Sequence, residues 1–430
     1  MRIFMTGEDG LHNMGDEGQA LASAARLKQY FPMAELVATG FDPLGSVLRH
    51  QARIVPWPLT TYDIPSRYLT NVTRRLARKL GASEEWLDPV ARSMDAIFEE
   101  QYRSNERFRS VLADIEKSDF IFDMGHGALN DVFDPFMLCF LYYLAGRLNK
   151  PLFISGQSIG PFWRKRTVRM LRDTLVNAHT TGLRDKDVSR RTLLDEIGVD
   201  TQRVHLVEIG DDTLDLTPRE PNWDCFSPPV ATAIRSGQFF AIHWRASDYT
   251  QTLSATERIV PLADAIKRAC DITGLPAIFF PFSWETHSSD AVTAASIHDY
   301  LQGQVPFYAA WNYLEAAELK WLLGQARFGI GLSYHFHVFQ LSQGRPSIGL
   351  YSNDYYKVKL NGAFRAYSYQ ATPLPYSSSL ATEQSFEDAV EAVTHWSDSD
   401  AQALKTSAET LRLAWHSTFQ TFIRDKGLTA

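Results

Sequence analysis

The sequence predicts an α/β protein with two Rossmann-like, doubly wound domains that face a cleft. The chain has 430 residues, more than one hydrophobic core usually serves, which favours two domains. Short apolar runs alternate with helical patterns in both halves, as expected for parallel sheets with crossover helices. Loops that contain glycine follow several apolar runs, and open α/β sheets bind ligands at such strand ends.

The first domain is expected at 1–222 and begins with a strand, a glycine loop and a helix. The segment 58–116 is long, charged and helix-like, and we interpret it as an insertion into this domain. The polar, proline-rich segment 217–222 is the best linker candidate. Strands are expected at 2–6, 35–38, 119–124, 151–155, 179–183 and 204–207, and helices at about 17–30, 136–148, from 164, and at 186–196.

The second domain is expected at 223–399 and repeats the same alternation of strands and helices. The tail at 400–430 is helix-like, and we predict that it crosses back to pack on the first domain. Strands are expected at 239–244, 277–281, 328–332 and 347–350, and helices at 262–273, after 290, and at 313–326.

The composition is that of a soluble globular protein. Apolar residues make up 45% of the chain and charged residues 22%, close to the average of soluble domains. The formal net charge is -7 and no basic stripe appears, which argues against a nucleic-acid partner. The sequence has neither a signal peptide nor an apolar run of 18 residues, so we expect a cytoplasmic protein whose membrane contacts are at most peripheral.

The sequence indicates neither a metal site nor a resident cofactor. Its three cysteines are far apart and show no CxxC spacing, which argues against a disulfide framework and a zinc site. Asp211 and Asp212 are adjacent, but no histidine or further acid accompanies them at ligand spacing. We favour a loop-fixing role for these two aspartates, with a role as metal ligand or base left open.

Polar side chains in the loops of the first half are candidates for binding a ligand. The loop at 7–16 combines glycines, which permit close backbone approach, with a helix N-terminus that favours anions. A GxGxxG spacing is absent, so a nicotinamide or flavin site is not indicated. Helix capping and turn formation would explain several of these residues equally well. The candidates are Gly7, Asn13, Asp16, His126, Asn130, Asp131 and Gln157.

Two positions stand out in the second half. Arg245 directly follows an apolar strand, where a buried arginine needs a partner and a planar guanidinium suits a carboxylate or phosphate. His335 and His337 lie between glycines and aromatics after another strand, where a general acid would be useful. A hydrogen-bonded core histidine is the competing interpretation. In the first half, we interpret Arg184 and Asp185 as a structural ion pair.

Several segments, taken in their order along the chain, resemble the polysaccharide pyruvyl transferase family. The resemblance covers most of residues 1–360, apart from 58–116. That family has an Asn-x-Gly-Asp-Glu element, a glycine loop with Asn-Asp, a Gly-Gln-x-Ile-Gly-Pro loop, an Arg-Asp helix start, a strand that ends in arginine, and a Gly-x-Arg-Leu-His motif followed by Gly-x-Pro. The corresponding segments here are 13–17, 123–131, 156–161, 184–189, 242–245, 331–335 and 344–346.

The resemblance implies a fold similar to GT-B glycosyltransferases and a reaction that transfers the enolpyruvyl carbons of phosphoenolpyruvate to two sugar hydroxyls, giving a pyruvate ketal. It implies Arg245 and His335 as catalytic and donor-binding residues. The loop candidates of the first half would then bind the acceptor, a saccharide of a cell-surface polysaccharide or of its precursor, which can be lipid-linked. No resident cofactor is implied, because phosphoenolpyruvate is a co-substrate. The oligomeric state stays open.

The chain departs from the family pattern at Ser333, where the resemblance implies an arginine that helps to hold the anionic donor. His337, Arg345 or Lys357 would have to compensate, and we therefore include them among the donor-binding residues. Two alternatives remain at this point. One is a glycosyltransferase of the same architecture with a nucleotide-sugar donor, and the other is a family member that has lost catalysis and serves as a sugar-binding or scaffold subunit.

Overall fold

The computed structural model describes residues 1–6, 12–42, 44–59, 94–245, 255–284 and 289–429. These residues form two parallel β-sheets with connecting helices. The first sheet has the strand order β3-β2-β1-β4-β5-β6-β7, and each neighbouring pair is parallel. Its strands are β1 (Arg2–Met5), β2 (Glu35–Thr39), β3 (Arg53–Val55), β4 (Phe120–Asp123), β5 (Leu152–Gln157), β6 (Thr180–Leu183) and β7 (Leu206–Glu208).

The helices of this half connect parallel strands, which need crossover connections. A 3-10 turn at Asp212–Asp215 follows the last strand and leads out of the sheet. The helices are α1 (Met14–Tyr30), α2 (Met94–Ser104), α3 (Glu106–Lys117), α4 (Phe136–Arg147), α5 (Lys165–Leu175) and α6 (Ser189–Arg191), the last of which continues as the π-helical segment Thr192–Ile197.

The second sheet has the strand order β10-β9-β8-β11-β12-β13 and is also parallel throughout. Its strands are β8 (Phe240–His243), β9 (Ala277–Phe279), β10 (Phe307–Ala309), β11 (Gly329–Gly331), β12 (Ser347–Tyr351) and β13 (Leu374–Pro375). The helices are α7 (Pro228–Ser236), α8 (Ala255–Thr273), α9 (Asp290–Leu301), α10 (Ala316–Gln325), α11 (Tyr334–Leu341), α12 (Asp354–Ala366), α13 (Gln384–Thr394) and α14 (Asp398–Asp425), with 3-10 turns at Trp223–Cys225 and Leu380–Thr382.

Both faces of the first sheet are buried. Along β1, Phe4 packs into one core cluster, whereas Ile3 and Met5 pack into another on the opposite face. Side chains alternate between the two faces of a strand, so a sheet that is covered on both sides requires nearly continuous apolar strands. This is why short apolar runs marked the strands in the sequence.

The C-terminal helix α14 crosses back to the first sheet, as predicted. The ring centroids of Phe419 and Phe422 lie 5.1 Å and 5.3 Å from that of Phe153 in β5. Nε1 of Trp415 donates a hydrogen bond to Oγ of Ser155, 2.8 Å away. These contacts tie the end of the chain to the first domain. None of the described helices is long and apolar enough to cross a membrane.

The interpretation of 58–116 as an insertion is wrong for its described end. Helices α2 and α3 lie between β3 and β4 in the chain and bury Phe98, Phe108 and Ile115 in the core cluster of the first sheet. They therefore belong to the crossover between two strands of the sheet. The sequence also missed the strands β3, β10 and β13, which have only two or three residues and too little periodicity to detect.

Candidate active site

A cavity of about 260 Å³ lies between the two domains, at the carboxyl ends of strands from both sheets. The start of α1 and the loops after β4 and β6 line it from the first domain. The end of β8 and the starts of α11 and α12 line it from the second. Its apolar lining residues include Phe41, Trp57, Phe133, Pro135, Met137 and Leu138. Its lining residues of the Asp, Arg, His and Lys types are Asp16, Asp134, Arg184, Arg245, His335 and Lys359.

His335 lies in the first turn of α11 and enters the cleft from the second domain. Its Nε2 lies 3.5 Å from Oδ2 of Asp211, which follows β7 of the first domain. A Cβ built on Gly15 would lie only 2.0 Å from Nδ1 of His335, so the ring packs where only a glycine leaves room. The imidazole is thus held between two elements of the first domain.

Asp211 orients both His335 and Arg184. Its Oδ1 accepts hydrogen bonds from the backbone N–H of Thr213 at 2.9 Å and from the Thr213 hydroxyl at 2.5 Å. Its Oδ2 lies 2.9 Å from Nε of Arg184. Burial alone would raise the pKa of the Asp211 carboxyl, but the charge of Arg184 and the contact with His335 outweigh burial and hold that pKa well below its usual range. Asp211 is therefore a permanent negative charge beside the cleft.

Arg184 is a buried cation that the sequence interpretation treated as structural. Its guanidinium carbon lies 4.6 Å from the ring centroid of Tyr334, and the side chain lines the cleft. The expected ion pair with Asp185 is replaced by the pair with Asp211, because Asp185 accepts backbone hydrogen bonds at the start of α6 instead. The adjacency of residues 184 and 185 in the chain concealed this longer-range pairing.

Arg245 follows β8, is largely buried and lines the cleft from the second domain. Its Nε donates a hydrogen bond to Oδ1 of Asp290 at 3.2 Å. Oδ2 of Asp290 accepts from the backbone N–H groups of Phe282 at 2.9 Å and Ser283 at 2.7 Å. Asp290 thus supplies the counter-charge that an arginine needs at a buried strand end.

Lys359 reaches the cleft, whereas Lys357, which we predicted to bind the donor, does not line it. Nζ of Lys359 donates a hydrogen bond to Oη of Tyr355 at 2.7 Å, one helical turn earlier in α12. Lys357 is exposed, with its Nζ 5.6 Å from the ring centroid of Tyr351. Positions two residues apart on a helix differ by about 200° in direction, so only one of the two lysines can face the cleft.

The same geometry separates His337 from His335. His337 is fully buried, with Nδ1 2.7 Å from Oγ of Ser347 and Nε2 3.0 Å from a carbonyl oxygen of β11. Burial lowers the pKa of His337 to about 3, so the ring is neutral in the core. Arg345 donates its Nε to a carbonyl oxygen at the end of α10, 2.7 Å away. We predicted that His337 and Arg345 bind the donor, but neither of these two side chains lines the cleft.

Two of the predicted acceptor-binding residues, Asn13 and Asp16, line the cleft at the start of α1. Oδ1 of Asn13 accepts a hydrogen bond from the backbone N–H of Gly15 at 3.2 Å, so Asn13 also caps this helix. A capping role and a position at the cleft therefore coexist in the same residue. Gly7 lies outside the described residues.

The other four predicted acceptor-binding residues are buried in the loops behind the cleft. Nε2 atoms of His126 and Gln157 lie 3.3 Å and 3.2 Å from the Asp123 carboxylate. Asn130 accepts two backbone hydrogen bonds from its own loop, and Asp131 accepts two from the segment that precedes α5. In the part of the chain that the structure describes, these residues shape the loop that lines the cleft but do not line it themselves.

The residues that sequence reasoning missed are Arg184, Tyr334, Lys359 and Trp57. Lys359 and Tyr355 are four residues apart and therefore lie on one face of α12. Knowledge of where this helix begins would have indicated both residues. Trp57 carries no local signal, because it reaches the cleft from a loop after β3. Within the described ranges, no three His, Cys, Asp or Glu side chains are grouped so that they could hold a metal ion.

A sequence model of the polysaccharide pyruvyl transferase family matches residues 13–355, which is most of the chain. The chain belongs to this family. It is accordingly a transferase of polysaccharide biosynthesis, and the resemblance seen in the sequence motifs is confirmed. No curated protein matches the sequence closely enough to count as a relative.

Solved structures with the same architecture are distant in sequence. Anabaena HepE in complex with UDP and glucose is 12% identical, with a TM-score of 0.55 and 98% of this chain and 100% of that chain covered. The UDP-GlcNAc 2-epimerase of Neisseria meningitidis is 10% identical, with a TM-score of 0.53 and coverage of 97% and 100%. The glycosyltransferase of kitacinnamycin is 12% identical, with a TM-score of 0.51 and coverage of 96% and 95%. These similarities confirm the GT-B-like fold.

The cleft of this pyruvyl transferase family member contains Ser333 at the position where the family motif led us to expect arginine. The three side chains that we named to compensate lie elsewhere, as described above. Arg184 and Lys359 instead bring positive charge to the cleft, one from each domain.

Proposed function

We propose that this protein is a pyruvyl transferase that uses phosphoenolpyruvate to form a pyruvate ketal on a saccharide of a cell-surface polysaccharide or its precursor. The observation that carries the proposal is the convergence of Arg245 and His335 from the second domain with Arg184 from the first in one cleft. Asp211 of the first domain contacts both His335 and Arg184. We also propose a cytoplasmic location, because phosphoenolpyruvate is a metabolite of the cell interior.

The charge of the cleft suits the donor. Phosphoenolpyruvate carries a carboxylate and a phosphate on a three-carbon frame, so it needs cations on more than one side. Arg245 contacts Asp290 through its Nε and lines the cleft, where a planar guanidinium suits bidentate contact with one of the two anionic groups. The same cation would stabilise the negative charge that collects on the departing phosphate.

In the proposed reaction, the two hydroxyls lie on one sugar and both add to C2 of the donor. One proton is added to the methylene carbon, two C–O bonds form at C2, and the C2–O bond to phosphate breaks. The two hydroxyl protons balance the reaction, since one replaces the proton given to the methylene carbon and the other leaves with phosphate. The products are the cyclic ketal of pyruvate and inorganic phosphate.

We assign these proton transfers to His335. It would act as a general acid toward the methylene carbon and then as a base toward a hydroxyl, which is a role that contributes about 100- to 10,000-fold in enzymes. Asp211, 3.5 Å from Nε2, positions the ring. The contact with Gly15 limits rotation of the imidazole, so the ring is preorganised between the two domains.

The apolar lining of the cleft suits a sugar acceptor. Trp57 and Phe41 lie with ring centroids 6.1 Å apart, and Phe133 packs edge-on against Tyr355 with a centroid distance of 5.7 Å. Aromatic rings cover the apolar faces of sugars, while Asn13 and Asp16 offer hydrogen-bonding groups for hydroxyls. The acceptor in this proposal is a saccharide unit, free or attached to a lipid carrier.

Calorimetry with phosphoenolpyruvate tests the proposal directly. We expect the unmodified protein to bind it, Arg245→Ala to weaken binding by about 100-fold through loss of a charge-assisted bidentate contact, and His335→Ala to bind but to lose turnover. Arg365→Ala, an exposed arginine at the end of α12, is the matched control and should bind normally.

Binding of UDP or of a nucleotide sugar in place of phosphoenolpyruvate would overturn the proposal in favour of glycosyl transfer. Two of the structural neighbours are complexes with UDP and with UDP-GlcNAc, so these nucleotides belong in the same titration. Saccharide binding without any donor binding would indicate a family member that has lost catalysis. In that case, Ser333→Arg should create phosphoenolpyruvate binding.

A further inference from the structure

We propose that Trp284, Trp311 and Tyr313 form a second saccharide subsite at the rim of the cleft, which binds a sugar unit next to the one that reacts. The inference rests on the proposed function for the nature of the acceptor, but it concerns a surface that the proposed reaction does not use. Its ligand is a saccharide longer than one sugar unit, bound through the apolar faces of its rings.

The three aromatic residues follow neighbouring strands of the second sheet. Trp284 lies after β9, whereas Trp311 and Tyr313 lie in the loop between β10 and α10. These strands are parallel to β8, which ends close to Arg245, so their carboxyl ends meet at the edge of the sheet that faces the cleft. The ring centroids of Trp284 and Tyr313 are 6.1 Å apart. The two loops therefore present one aromatic patch at this edge.

The backbone connects this patch to Asn13, which lines the cleft from the first domain. The N–H of Trp284 donates a hydrogen bond to the carbonyl oxygen of His12 at 3.0 Å. Asn13 itself pairs with Ser283 in an antiparallel bridge. Trp284 is therefore the chain neighbour of the residue that pairs with a cleft-lining residue, and a ligand that passes Asn13 reaches the aromatic patch.

The rings of Trp311 and Tyr313 are exposed, but their loop is held in place. Trp311 is 50% exposed and Tyr313 is 48% exposed. The hydroxyl of Tyr313 donates a hydrogen bond to Oε2 of Glu17 in α1 at 3.0 Å, and the side-chain amide of Asn312 donates one to the carbonyl oxygen of Cys225. Because aromatic side chains on a held loop lose little conformational freedom, they bind a ligand at a small entropic cost.

The size of the cleft makes such a rim necessary for a longer acceptor. The cavity of about 260 Å³ is slightly smaller than the range of about 300–1,000 Å³ that is usual for small-molecule sites. In the proposed reaction, this cavity has to contain both phosphoenolpyruvate and the sugar that receives the pyruvyl group. The neighbouring units of the acceptor then have to lie outside the cleft, on its rim.

Polar groups beside the rings favour a saccharide as the occupant. His12 is exposed, with its Nδ1 3.9 Å from Oε1 of Glu17, and the side chains of Asn312 and Glu315 are exposed in the same loop as Trp311. A sugar ring has an apolar face of C–H groups that is surrounded by hydroxyls. Aromatic rings flanked by hydrogen-bonding side chains complement both parts of such a surface.

Calorimetry with saccharides of different lengths tests the subsite. The probes are size-fractionated oligosaccharides from partial hydrolysis of the source cell's own surface polysaccharide, together with its monosaccharides. We expect the oligosaccharides to bind the unmodified protein at least about 10-fold more tightly than the monosaccharides, and Trp311→Ala to remove this advantage. Trp163→Ala, which removes an exposed tryptophan of the first domain, is the matched control and should keep the advantage.

Tyr313 provides a second comparison. Tyr313→Phe keeps the ring and loses only the hydrogen bond to Glu17, so it should retain most of the affinity for oligosaccharides. Tyr313→Ala removes the ring and should weaken their binding by about 10-fold. Circular dichroism confirms that each variant is folded before it is titrated. Equal oligosaccharide affinities of Tyr313→Ala and the unmodified protein would contradict a role of this ring.

The outcomes separate this inference from the proposed function. Equal affinity of the unmodified protein for long and short saccharides, or a length advantage that survives in Trp311→Ala, would overturn the inference. Binding of phosphoenolpyruvate is measured independently, so the proposed function would stand or fall on that titration. Oligosaccharides that bind through Trp311 but accept no pyruvyl group from phosphoenolpyruvate would keep the subsite and refute the proposed function.

Discussion

Asp211 and Asp212 are adjacent buried carboxylates that serve opposite regions of the molecule. Asp211 faces the cleft, where it contacts Arg184 and His335. Asp212 faces the interior of the first domain, where it accepts hydrogen bonds from four groups on α1, β5 and the loop after β4. These groups are Nη1 of Arg26 at 2.6 Å, the hydroxyls of Ser23 at 3.0 Å and Ser155 at 2.5 Å, and the backbone N–H of Gly125 at 2.6 Å.

The surroundings of Asp212 stabilise the fold, whereas those of Asp211 position side chains at the cleft. Asp212 ties α1, β5 and the loop after β4 to the end of the first sheet, so its partners all belong to the first domain. Asp211 contacts a side chain of the second domain and therefore depends on the closed cleft. The same residue type, at the same depth, takes a structural or a functional role according to which partners face it.

The largest effect is expected on stability from Asp212→Ala. The substitution leaves the buried Arg26 with Asp215 alone and removes the acceptor of three other donors, so we expect the free energy of unfolding to fall by about 3–5 kcal/mol. Urea denaturation followed by circular dichroism measures this change. Asp211→Asn should cost clearly less, and equal losses for the two variants would remove the distinction between the two regions.

The next largest effect is expected on activity from Gly15→Ala. The added Cβ would displace His335, and a shift of about 1 Å in a catalytic group can lower turnover by about 100-fold. Alanine favours helix formation, so the fold should survive. Gly18→Ala in the same helix is the control, since its Cβ would meet its nearest neighbours at 3.2 Å. Normal kcat in Gly15→Ala would show that His335 does not need this position.

A smaller effect is expected from Asp211→Asn, because Asp211 acts through His335 and does not itself transfer a proton to substrate. We expect kcat to fall by about 10- to 100-fold with little change in donor affinity. Steady-state kinetics that separate kcat from KM provide the readout. A change confined to KM would contradict this positioning role.

The lowered pKa of Asp211 also predicts how the stability of the protein changes in acid. The folded-state pKa of its carboxyl lies below the value in the unfolded chain, so its contribution is fully present at neutral pH and is lost as the pH falls below about 4. Asp211→Asn should therefore flatten the decline of stability in strong acid. Denaturant unfolding at several pH values below 5 compares the two proteins, and parallel curves would show that Asp211 is not the group responsible.

The last prediction concerns the slope of stability with pH and a core histidine outside the cleft. Burial lowers the pKa of His337 to about 3, so the unfolded chain takes up a proton below about pH 6.5 that the folded protein does not bind. Stability should fall as the pH drops from about 6.5 toward 3, by at most about 1.4 kcal/mol per pH unit for this group. His337→Gln should reduce that slope, and an unchanged slope would assign it to other residues such as His243, whose pKa burial lowers to about 4.

Sequence reasoning placed several residues at the cleft because strand ends of a parallel sheet gather at one edge. His335, Arg245, Asn13 and Asp16 all follow strands or begin helices, and all line the cavity. Sequence reasoning failed where the direction of a side chain mattered. Lys357 lies only two residues from Lys359 in α12, but its side chain is exposed and does not line the cleft. A linear motif records spacing, whereas the direction of a side chain depends on where the helix begins.

The sequence by itself determined the family, the two-domain α/β fold and the return of the C-terminal helix. These follow from apolar periodicity and ordered motifs, which are local properties of the chain. Only the tertiary structure decided which charges share the cleft. The pairing of Arg184 with Asp211, the packing of His335 on Gly15 and the packing of Lys359 on Gly127 join segments that are distant in the chain. Such contacts depend on how two domains meet, and no local pattern encodes that arrangement.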